Sequence, residues 1–116
     1  MLAASIAAIL ARDLRALSRE IEAYPDDELP WHVPPGIANS GGNLVLHLCG
    51  NLQYLVGAQL GATGFVRDRD AEFTQRGVAR RELVARVQAT SAVVERTLAG
   101  MSDERLAEDF PLVLNG

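Results

Sequence analysis

Apolar residues recur at Ile6, Ile9, Leu10, Leu14, Leu17 and Ile21, a spacing that keeps them on one face of a helix. Arg12, Arg15, Arg19 and Glu22 fall on the opposite face. Pro25 predicts the end of this first helix, because proline biases Tyr24 away from helical dihedrals. A second helix is predicted to begin near Ser40, whose hydroxyl can accept hydrogen bonds from the free amides of a first turn. It runs through NLVLHLCGNLQYLVGAQL and stops at Gly61 and Gly64. Leu83, Val87, Thr90, Val94 and Leu98 mark the inner face of a third helix that ends at Gly100, with Ala79 standing where a capping side chain is expected. After it, SDERL reads as a short helical turn capped by Ser102, and FPLVLNG as an extended tail.

Three helices of about 22 residues, each about 33 Å long, predict a single all-α domain over residues 1–116. The second helix is apolar nearly all the way round, as suits the middle of a bundle. Two neighbours leave one of its faces open, so a fourth element or a second chain is needed, and a homodimer is expected. The loop YPDDELPWHVPPG carries four prolines, with Trp31 as the expected tether, largely buried against the bundle. The loop ATGFVRDRDAEFTQRGV is charged, but Phe65, Val66 and Phe73 predict that part of it is pinned down.

Composition narrows the function classes. A net charge of −4 argues against a general nucleic-acid binder, which needs a basic face to offset phosphate. The single cysteine, Cys49, gives no internal disulfide and fits a reducing compartment. The opening MLAASIAAIL has no basic flank, meets Arg12 and Asp13, and keeps the same helical spacing past them, unlike a leader segment. No stretch approaches the ~18 apolar residues of a membrane span. A soluble, cytoplasmic protein without nucleic-acid or membrane partners is the expectation.

The chemistry-bearing residues collect on the second helix. Asn43, His47 and Asn51 follow at four-residue steps, with Tyr54 close behind, so all share one stripe. His47 is either a core histidine satisfied by a hydrogen bond or a metal ligand. Asn43 and Asn51 either orient its imidazole or serve locally, Asn43 at the helix start and Asn51 against a neighbouring loop. Cys49 lies about 200° round the helix from His47, which reads as a small buried hydrophobe rather than a partner in a Cys–His pair. His32 sits in the proline loop and is expected to face solvent. Arg67, Asp68, Arg69, Asp70 and Glu72 are crowded together, and alternating charges of this kind are expected to pair with one another and cap helix ends. Arg80, Arg81 and Arg86, interleaved with Glu82, read as a solvated helix face.

The string NSGGNLVLHLCGNLQYLVGAQLGATGFVRDRDAEF, with ELPWHVPPG and the first helix before it, resembles the DinB-like superfamily in its subgroup of small bacterial proteins. The resemblance covers essentially the whole chain. It implies a DinB-like helical bundle of four helices, commonly dimeric, in which three histidines hold one divalent ion such as zinc, nickel or iron. It also implies that some relatives carry out transferase or isomerase chemistry with low-molecular-weight thiols. The first metal histidine of the family falls in the motif that reads NLVLHL here, at His47. The other two come as an HxxxH pair on a fourth helix, and this sequence has no histidine after position 47. The expectation is therefore three long helices with the fourth missing, and an incomplete metal site represented by His47 with Asn43 and Asn51 beside it. Two functions follow from the resemblance. One is a metal-requiring, thiol-dependent transferase, inactive in this form. The other is a non-catalytic dimeric binding or structural module.

Overall fold

A computed structural model describes residues 2–108, and of Ala107 only the backbone. The described part is an all-α bundle. Helix α1 spans Leu2–Glu22, and a 3-10 turn at Leu29–Trp31 interrupts the proline loop. Helix α2 spans Gly41–Leu52 and continues through a widened π-helical stretch, Gln53–Ala58, into Gln59–Gly61. The short helix α3 covers Arg69–Thr74, α4 covers Arg80–Ala99 and α5 covers Asp103–Ala107. The expected tail FPLVLNG lies outside the described residues.

Local chemistry accounts for the boundaries. Ser40 caps α2 by accepting a hydrogen bond from the amide of Asn43 at 3.1 Å, and Ser102 does the same for α5 through Arg105. Ala79 precedes α4 with no side-chain cap, as its sequence implies. The last turn after α2 ends at Gly61, the first of the two glycines expected to stop it, and Ala62 follows in the left-handed region (φ 50°).

The sequence points to the second helix as the middle of the bundle, but α4 is the helix the others share. α1 lies along it, and α2 with its π stretch packs against it too. Leu83 and Val87 of α4 are completely or almost completely buried, among Leu14 and Ile21 of α1 and Val45, Leu46 and Cys49 of α2. A second cluster gathers Val94 and Leu98 with Val56 and, from α1, Ile6 and Leu10. Each such side chain contributes about 1.5–3 kcal/mol by leaving water. α2 gives the core one face and shows the other to solvent: Leu44 is 50% and Leu48 39% exposed. Its apolar girdle therefore marks a face left open, and not a central position.

Trp31 is half-buried, where the sequence suggested a largely buried indole. It holds the proline loop nonetheless. Its Nε1–H donates to the carbonyl of Val78 at 3.0 Å, and its ring lies over Gly42, where a β-carbon would come within 2.8 Å of it. Arg80 gives a second tie, donating to Asp27 Oδ1 at 2.8 Å and to the carbonyl of Tyr24. That residue is thus engaged with the loop and is not part of a purely solvated face. Among the described residues no helix is long and apolar enough to cross a membrane.

Candidate functional site

The site forms where α3 packs along α2, from Asn43 in its first turn to Gly50 in its third. Six residues are too few for a free-standing helix, so α3 must be held by its surroundings. Asp68 caps it, accepting from the amide of Ala71 at 3.1 Å. At the other end Asn43 of α2, 1% exposed, donates through Nδ2 to the carbonyls of Glu72 (3.0 Å) and Gln75 (2.9 Å). Its Oδ1 accepts from Ser40 Oγ at 2.6 Å and from Arg76 Nη1 at 2.7 Å. Every polar atom of this amide side chain is thereby engaged in tying the C-terminal carbonyls of α3 to the start of α2. Asn43 does not touch the imidazole of His47. It places the helix that does.

His47 stands one turn further along α2, with its side chain 31% exposed. Glu72 reaches it from α3, its Oε1 3.0 Å from His47 Nδ1. Arg67, in the loop before α3, donates from Nε to Glu72 Oε2 at 2.9 Å and from Nη2 to Oε1 at 3.0 Å. This is a two-pronged guanidinium–carboxylate pair, the strong form of the interaction. Arg67 Nη2 also lies 3.2 Å from His47 Nδ1. An ionised carboxylate only accepts, so the tautomer that suits Glu72 has its proton on Nδ1, with Arg67 Nη2–H donating to the same carboxylate. Nε2 then carries the lone pair and has no hydrogen-bond partner among the described residues. Phe73 packs on the imidazole with ring centroids 4.9 Å apart.

Burial raises the pKa of Glu72, but the hydrogen bonds from Arg67 and His47 outweigh it and hold the carboxyl below its ordinary value. The same contact raises Arg67, so the pair stays ionised. Gly50 makes room for it. A β-carbon there would collide with the Glu72 carboxylate, coming within 2.6 Å of its Cδ.

The stripe on α2 is thus only partly a site. Asn43 and His47 converge on α3, while Asn51 is half-buried and stands outside this network. Cys49 is buried on the inner side of α2, where burial raises its thiol pKa, and His32 is exposed. The charged run does pair and cap as its alternation implies, through Arg67–Glu72 and Asp68. Nothing in the residue spacing connects that pair with His47. The one available signal was Phe73, which had to be pinned somewhere and carries Glu72 with it.

A divalent ion needs three or four protein ligands to be held against water. Among the described residues no three His, Cys, Asp or Glu side chains come together as such a set. Glu72 is already committed to Arg67 and His47.

In comparisons with known families, residues 4–112 match the family described as protein of unknown function (DUF1572). No curated protein and no solved structure matches the chain.

Proposed function

The chain belongs to the DUF1572 family, and we propose that it is a DinB-like metal-binding bundle protein in which His47 supplies one ligand through Nε2. The observation that carries this reading is the Glu72 Oε1–His47 Nδ1 contact at 3.0 Å. Metal-binding histidines characteristically give their other ring nitrogen to a carboxylate, which fixes the tautomer and raises the basicity of the ligating atom. Here that carboxylate is itself anchored by Arg67, so the ring is held before any ion arrives. The remaining ligands come from outside the described residues. The thiol-dependent transfer chemistry of the wider reading needs the complete centre, so no step of it is assigned to these side chains.

Metal content after zinc loading and dialysis tests the proposal, with His32→Ala as control. The chain should retain less than one tightly held ion per monomer. His47→Ala should abolish the retained fraction, His32→Ala should leave it unchanged, and Glu72→Gln should weaken binding by roughly 10–100-fold. Zinc retained equally by all four proteins would overturn the assignment.

A second reading, a non-catalytic dimeric module, draws on the absence of a three-ligand cluster among the described residues and on the open face of α2. Leu44 and Leu48 border a groove of about 270 Å³ whose far wall is Leu17 and Ile21 of α1. A second copy of the chain covering this groove would serve either reading.

A further inference from the structure

Behind the Glu72 carboxylate, away from His47, lies a cavity of about 330 Å³ between α2, α3 and α4, a volume in the range of small-molecule sites. Its walls are mostly apolar, with Leu46 from α2, Phe65 from the preceding loop and Ala71 from α3. Gln53, Gln75, Arg86 and Thr90 line it with polar side chains as well. Asp68 and Glu72 also border it, but Asp68 is engaged in capping α3 and Glu72 is neutralised by Arg67.

Arg86 differs from the arginines that build the fold. Arg67 and Arg80 hold their carboxylates at 2.9 and 2.8 Å. Arg86 meets Glu82 at 3.4 Å and Gln75 Oε1 at 3.4 Å, the outer edge of hydrogen bonding, with its side chain 37% exposed. Its guanidinium therefore keeps donors to spare at the edge of an apolar space. We propose that this cavity binds a small monocarboxylate with an apolar body, the carboxylate on Arg86 and the body against Leu46, Phe65 and Ala71. Arginine suits this role because its planar fork matches a carboxylate and keeps its charge at any physiological pH. His47 does not line the cavity, so this inference stands apart from the metal reading.

Cys49 lines the same cavity and is the only cysteine in the chain, which makes conversion of its thiol to a methyl disulfide a local report on occupancy. The rate of labelling by methyl methanethiosulfonate would be measured with hexanoate, hexanol or acetate at equal concentration and constant ionic strength. Hexanoate at about ten times its Kd should slow labelling roughly tenfold. Hexanol, with the body but no charge, and acetate, with the charge but no body, should slow it far less. His32→Ala should keep the hexanoate effect, and Arg86→Gln should remove it. No slowing by hexanoate up to its solubility limit, or equal slowing by hexanol, would overturn the proposal. Both outcomes are read on the unmodified chain, so they hold even if Arg86→Gln fails to fold.

Discussion

The carboxylate of Glu72 is 8% exposed and still charged, a state sustained by hydrogen bonds from Arg67 and His47 in place of water. A carboxyl whose pKa is lower in the folded than in the unfolded chain adds stability above its unfolded pKa. That contribution disappears as pH falls through the folded value. Glu72→Gln should therefore cost about 2 kcal/mol at neutral pH, the scale of charge-assisted hydrogen bonds. The gap between the two proteins should close as pH falls below the ordinary glutamate value of 4.5. Urea unfolding at pH 7 and pH 3 checks this, and a gap that stays constant with pH would mean that the carboxylate is not held as described. At this scale the sequence showed His47 and Asn43 by their four-residue spacing. It concealed their partners, because Arg67 and Glu72 lie in a run whose alternating charges satisfy one another on paper. Only the fold brings that pair within reach of position 47.

At the scale of elements, the long helices were legible because their apolar periodicity and their capping residues agree. Ser40, Ser102 and the uncapped Ala79 all stand where the pattern implies. α3 was not legible. Its six residues carry too little periodicity to register, and its stability comes from Asn43 and Arg76 binding its last carbonyls. The π stretch at Gln53–Ala58 was also hidden, since it keeps the apolar character of an ordinary helix. The proline loop follows the expected logic with a shallower anchor. Trp31→Ala should remove both the indole–Val78 hydrogen bond and the cover over Gly42. The cost should be about 3 kcal/mol, the low end for a large aromatic because the ring is only half-buried. Thermal melts of the two proteins give the comparison, and a loss under about 0.5 kcal/mol, the range of an ordinary surface substitution, would show that the indole does not hold the loop.

For the whole molecule, the open face of α2 and the state of His47 decide what the bundle can do. Leu44 and Leu48 remain uncovered beside the α1–α2 groove, which predicts a homodimer in light scattering coupled to size exclusion. Leu44→Glu combined with Leu48→Glu should convert it to monomer without loss of helicity. A wild-type monomer that melts cooperatively and binds no hydrophobic dye would show that this face needs no partner. The all-α architecture was legible from the three apolar stripes, but which helix sits between the others was not. α4 is less apolar overall than α2 and yet holds the centre, because its one stripe meets both neighbours. The metal reading requires that the neutral form of His47 carry Nδ1–H toward Glu72 and leave Nε2 open. Long-range ¹H–¹⁵N correlation spectra of the imidazole, recorded at alkaline pH where histidine is neutral, read that tautomer directly. The spectra should show a protonated Nδ1, an unprotonated Nε2 and a shift of the Nε2 resonance on adding zinc. A proton on Nε2, or a zinc response confined to His32, would contradict it.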